Sequence, residues 1–129
     1  MIRRGLRAVT IPIVAGFVLV VAGCDESVPQ QVLVDVAAWK GAPEVLRLHE
    51  TAECKGPFQE QTRSAEMAFK FETVSTRGGV GVVTQDLALC YLAGSGWRSV
   101  WSSRHGGGAI RIVLRCDSST SCTDEFFYR

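Results

Sequence analysis

Between Met67 and Thr73 the side chains alternate one for one. Met67, Phe69, Phe71 and Thr73 fall on one side, and Ala68, Lys70 and Glu72 on the other. An extended strand with one buried face sorts residues this way, because successive Cβ atoms point to opposite faces of a sheet. The pattern recurs. Val32, Val34 and Val36 alternate with Leu33 and Asp35; Ile110, Ile112 and Leu114 alternate with Arg111, Val113 and Arg115; Trp97 to Ser103 alternates again. Glycine-rich breaks punctuate these runs at Gly41-Ala42-Pro43, Arg77-Gly78-Gly79, Gly94-Ser95-Gly96 and His105-Gly106-Gly107-Gly108. Val80 to Val83, Asp86 to Leu92 and Thr123 to Tyr128 read as further strands. Two segments stay open: 44–51 is a strand or a short helix starting at Pro43, and 85–93 is a strand or a helix capped by Thr84 and stopped at Gly94. The expected fold is mainly β, with α+β as the alternative. It is a small antiparallel meander of about six or seven short strands, sandwich- or barrel-like.

The chain has 129 residues and 47% hydrophobic content, enough for one domain and too apolar for a disordered chain. Its formal charge is +1, with no cluster of Lys and Arg of the kind that neutralises phosphates, so no nucleic-acid partner is expected.

Arg3, Arg4 and Arg7 precede an uncharged stretch from Ala8 to Gly23, a basic region followed by an apolar one. The stretch is shorter than the roughly 20 residues of a membrane-crossing helix. It ends in Val21-Ala22-Gly23-Cys24, which resembles the lipobox of bacterial lipoprotein signal peptides: an aliphatic residue, two small ones and cysteine. The resemblance implies that residues 1–23 are cut away. It also implies that the Cys24 thiol carries diacylglycerol, that the new amino group takes a fatty acyl chain such as palmitate, and that the domain is held at the cell membrane on its extracytoplasmic side. For a Gram-negative cell the resemblance further implies that Asp25, directly after the cysteine, favours the periplasmic face of the inner membrane. Each buried CH₂ contributes about 0.8 kcal/mol, so two or three chains suffice as an anchor. Residues 24–31, polar and interrupted by Pro29, read as a lipidated tether, and 32–129 as the globular domain.

With Cys24 assigned to lipid, Cys54, Cys90, Cys116 and Cys122 remain, an even set that reads as two disulfides in an oxidising compartment. Three pairings are possible. Cys116–Cys122 with Cys54–Cys90 is preferred, because the polar segment between Cys116 and Cys122 has hairpin-turn composition. A four-cysteine metal site lacks a C-x-x-C pair, and no metal or cofactor is expected.

His105-Gly106-Gly107-Gly108 is similar to the glycine-rich oxyanion motif of lipases and esterases, but the G-x-S-x-G nucleophile elbow is missing, which favours a hairpin turn. Gly78-Gly79-Val80-Gly81 lacks the third glycine of a dinucleotide fingerprint. His49 and His105 are the two histidines; the pair His49-Glu50 reads as exposed polar residues, and His105 belongs to the glycine-rich turn. No catalytic residue is expected. Tyr91, Trp97, Arg98, Trp101, Arg104 and Arg111 are of the types that dominate binding hot spots, and they form the candidate binding surface. Alternation puts Trp97, Ser99 and Trp101 on one face and Arg98 on the other. Of the adjacent Phe126, Phe127 and Tyr128, at least one faces outward.

These features lead to the expectation of a membrane-anchored lipoprotein that displays a small binding domain and acts on a protein partner as an inhibitor, immunity or exclusion protein. A structural or assembly part of an envelope or secretion complex is the alternative, and a small hydrolase ranks third. Intact mass of the membrane-extracted chain is expected to show loss of residues 1–23, added acyl mass and no free thiol before reduction. Cys24→Ser should abolish both processing and acylation; an unprocessed chain with free thiols would contradict the anchor.

Overall fold

The computed structural model describes residues 26–78 and 83–128. The signal-peptide segment, Cys24 and most of the Val80 to Val83 strand expectation lie outside them. Eight strands run in chain order: β1 (Glu26–Asp35), β2 (Val45–His49), β3 (Phe58–Thr62), β4 (Ala68–Arg77), β5 (Thr84–Ala93), β6 (Gly96–Gly106), β7 (Ala109–Ser118) and β8 (Ser121–Tyr128). They form two four-stranded sheets, β4-β1-β7-β8 (sheet I) and β3-β2-β5-β6 (sheet II). No helix among the described residues is long and apolar enough to cross a membrane.

The mainly β, disulfide-stapled fold is present, and both ambiguous segments are strands. The chain is not a simple meander. Antiparallel hairpins β2·β3 and β5·β6 both lie in sheet II and β7·β8 in sheet I, so the chain crosses repeatedly between the sheets, and β1 pairs antiparallel with β4 but parallel with β7, Gln31–Asp35 against Arg111–Arg115. Alternation along each strand delivers one apolar face to the space between the sheets. Val32, Val34, Phe71, Ile112 and Leu114 of sheet I meet Leu46, Leu48, Leu87 and Leu89 of sheet II there, none more than 1% exposed.

The structure departs from what the sequence led one to expect at three places. First, the tether of residues 24–31 is largely strand: Glu26 to Gln31 pair with Arg77 to Glu72. Pro29 is compatible with this position. Both backbone groups of Glu72 bond the Gln59 side chain, so Glu72 and its partner Gln31 turn their backbone groups away from each other. By the two-residue period, the edge on which Pro29 lacks an N–H therefore faces β7, whose ladder starts only at Gln31.

Second, β3 reads as polar, Phe-Gln-Glu-Gln-Thr, and carries no apolar alternation; its place is set by pairing with β2 and by Gln59 reaching over to Glu72 of β4. Third, Ile110 does not join Ile112 and Leu114 in the core. The β7·β8 register shifts between Ala109 and Arg111, which leaves Ile110 half-buried at the end of the sandwich.

The disulfides are Cys54–Cys90 and Cys116–Cys122. The first closes 36 residues of sequence separation and stabilises by about 3–4 kcal/mol through the unfolded state in the chain-entropy picture. Phe71→Ala, at 0% exposure in the core, is expected to lose about 3–5 kcal/mol, whereas Val74→Ala on the same strand, at 57% exposure, should stay within about 0.5 kcal/mol. Urea denaturation of the two variants measures the difference.

Candidate functional site

The expected binding residues are scattered. Trp101 is 8% exposed in the core, donating Nε1–H to Asp124 Oδ2 at 2.8 Å. Tyr91 packs against the same core, edge-on to Trp39 with ring centroids 6.1 Å apart. Arg98 is exposed on β6 opposite Tyr91, Arg104 holds Asp86 with two hydrogen bonds of 2.8 and 3.1 Å, and Arg111 lies on sheet I with its guanidinium 5.6 Å from the Phe127 ring.

Trp97 and Trp101 do not share a face. Leu89 pairs with Trp101 and Cys90 with Ser99, so Val100 is an extra residue, and the bulge inverts the side-chain phase of β6. Trp97, opposite exposed Leu92, is thereby turned onto the outer face of sheet II.

There it meets residues the sequence reading passed over. Arg47 alternates with inward Leu46 and Leu48, so its side chain emerges on the outer face. Its guanidinium lies 3.9 Å from the centroid of the Trp97 ring and 3.9 Å from that of Phe58, while Nε donates to Glu60 Oε1 at 3.0 Å. Aromatic, cation and aromatic thus span strands β3, β2 and β6. Each cation–π contact contributes about 0.5–1 kcal/mol at an exposed position and holds its ring in place. Within the stack Phe58 is 47% exposed, and Leu92, paired with Trp97, is 52% exposed beside it.

The face has a rigid backing. Residues 50–57 fold over the outer side of β5 and β2, pinned by Cys54–Cys90 and by hydrogen bonds from Thr51 Oγ1 to the carbonyls of Glu53 and Lys55, at 2.7 and 2.9 Å. His49, expected to be exposed, is 3% exposed beneath this cover; Nδ1 lies 2.9 Å from the Lys55 carbonyl and its ring centroid 5.3 Å from that of Phe58. Arg47 could have been suspected from its place between two buried leucines. Phe58 could not, because only the β2·β3 register brings it there.

His105 is half-buried at the other seam. Ser103 Oγ lies 3.1 Å from Nδ1 and Gln85 Oε1 3.0 Å from Nε2, and the ring packs against Phe126 at a tilt of 46° with centroids 4.5 Å apart. Gln85 and Gln30 exchange amide hydrogen bonds at 3.0 Å in both directions, and Gln30 donates to the Ala109 carbonyl at 2.9 Å.

The following glycines form the expected turn. The Gly107 N–H donates to the Val83 carbonyl at 2.7 Å and the Gly108 N–H to Ser75 Oγ at 2.8 Å, so both donors that an oxyanion would require are engaged in the fold. A Cβ on Gly107 would collide with the Thr76 carbonyl oxygen, and Gly108 has φ of 97°. All four described cysteines are disulfide-bonded, which leaves no thiolate for a metal, and no group of three His, Cys, Asp or Glu among the described residues could hold one.

No family model, curated protein or solved structure matches the chain.

Burial holds the His105 imidazole below the ordinary histidine range, against the opposing pull of Asp124 and Asp86. Unfolded, the group titrates at about 6.5. Between that value and the lower folded one the unfolded chain binds more protons, so the contribution is complete above about 6.5 and is lost as pH falls through the folded value. Stability measured by urea midpoint is expected to decline from neutral pH into the mildly acidic range, and His105→Gln should flatten that slope.

Proposed function

We propose that this protein is a membrane-anchored extracytoplasmic binding module of the inhibitor, immunity or exclusion type, lipidated at Cys24, which engages a protein partner through the outer face of sheet II. The observation that carries the reading is the Phe58–Arg47–Trp97 stack. Flat aromatic surfaces with little rotamer freedom bind a protein surface at low entropic cost, and here they are fixed before any partner arrives. Glu60 compensates the Arg47 charge, so the exposed area offered by Phe58, Trp97 and Leu92 is chiefly apolar, suited to aliphatic or aromatic side chains of a partner. A module with this construction works by occupying a surface, and occupying a surface is what an inhibitor or an exclusion protein does.

The test is capture from envelope extracts followed by an activity assay on the captured protein. Phe58→Ala and Trp97→Ala should each weaken the complex by about 2 kcal/mol, roughly 30-fold in affinity, and the double variant should fail to block the partner. Val74→Ala, on the outer face of sheet I, should behave as wild type. Undiminished capture by the double variant, with its fold intact, would move the site elsewhere.

A further inference from the structure

Strand β1 begins at Glu26, so a single residue, Asp25, lies between it and Cys24. The two Cα–Cα steps from Cys24 to Glu26 reach at most about 7 Å. The headgroup layer on one side of a bilayer is itself about 5–7 Å deep, judged from the difference between total and hydrocarbon thickness. A lipid on Cys24 therefore leaves no room for a spacer, and whichever end of the sandwich holds Glu26 must lie at the membrane surface.

The topology identifies that end. Glu26 pairs with Arg77 at the close of β4. Because β7 runs parallel to β1, its first residue, Ala109, points the same way, and its antiparallel partner β8 finishes there at Tyr128. Tyr128 donates its hydroxyl to the Gly106 carbonyl at 2.8 Å, which brings the close of β6 to the same end. The turns Gly94-Ser95 and Ser119-Thr120 lie at the opposite end.

The composition of the near end suits an interface between water and hydrocarbon. Tyr128 is 50% and Phe127 36% exposed, and Arg111 lies over the Phe127 ring. Beside them β1 and β4 project past the start of β7, leaving a cavity of about 250 Å³ with Val28, Pro29 and Ile110 in its wall and the Arg77–Glu26 ion pair, 3.1 Å, alongside. Aromatic rings with a polar edge and arginines with long apolar stems are the residues that collect at headgroup depth. Glu26, the acidic residue nearest the lipid site in the described structure, is neutralised by Arg77.

We infer that the end of the sandwich where β1 starts docks on the phospholipid headgroups, with Tyr128, Phe127, Ile110 and Arg111 at the interface. This inference rests on the reading of Cys24 as the lipidated residue. It sets the strands upright on the bilayer, so the Phe58–Arg47–Trp97 face looks sideways and the Gly94-Ser95 turn points away from the membrane.

Photocrosslinking in membranes tests it. The full chain is produced in bacterial cells with Tyr128→p-benzoylphenylalanine, Phe127→p-benzoylphenylalanine or, at the far end, Ser95→p-benzoylphenylalanine, irradiated, and analysed by intact mass. Phospholipid adducts are expected at positions 127 and 128 and absent at 95, and Arg111→Glu should reduce the adduct at 128. In chains whose mass shows acylated Cys24, no adduct at either near position, or an equal adduct at 95, overturns the docked orientation and leaves the anchor standing. A mass with no acyl group overturns anchor and docking together.

Discussion

The parallel ladder between β1 and β7 joins the first described strand to the last hairpin, and sheet I exists only through it. Without that contact β4·β1 and β7·β8 are two separate ribbons, each exposing one side of its hydrophobic face. An isolated two-stranded ribbon is marginal in water. Pairing Gln31–Asp35 with Arg111–Arg115 places Val32 and Val34 beside Ile112 and Leu114, and the merged apolar surface is broad enough to cover sheet II. Because those residues are about 80 positions apart, the ladder closes a long loop, and folding must wait for it.

A second constraint acts where hydrophobic packing is indifferent to register. Gln30, at 2% exposure, follows the same face of β1 as Val32 and Val34 yet is polar. Its amide is answered by Gln85 across the sandwich, by the Ala109 carbonyl and by Thr73 Oγ1 at 3.2 Å. A slip of β1 by two residues would keep valines inside but leave this amide unpaired in a dry environment, costing about 1–3 kcal/mol. The polar cluster therefore selects one register among those that the valines alone would tolerate.

Much of the architecture was legible because it follows from period two. Phe69, Phe71, Ile112 and Leu114 face inward as the alternation requires, and the Cys116–Cys122 hairpin matches its turn composition. What escaped was whatever depends on partners distant in sequence. Residues 26–31 look like a linker in isolation and become strand only against β4; Phe58 to Thr62 has no apolar alternation and becomes strand only against β2. The candidate face was half legible for a related reason. Trp97 was identified by residue type, but the extra residue at Val100 reverses its side relative to Trp101, and no local pattern signals a bulge. Arg47 and Phe58 join Trp97 only through the order of strands in sheet II.

The short interval between Cys24 and β1 also has a mechanical side. A pull on the chain at residue 24, with the body of the domain held through its Phe58–Arg47–Trp97 face, enters along the axis of β1. That strand is laddered to β4 on one side and β7 on the other. The load is therefore borne in shear, across many hydrogen bonds at once, and β1 cannot be peeled away one pair at a time. Pairing with β4 along the whole strand and with β7 from Gln31 onward shares that load, so β1 resists it with more hydrogen bonds than an edge strand of the same length would have.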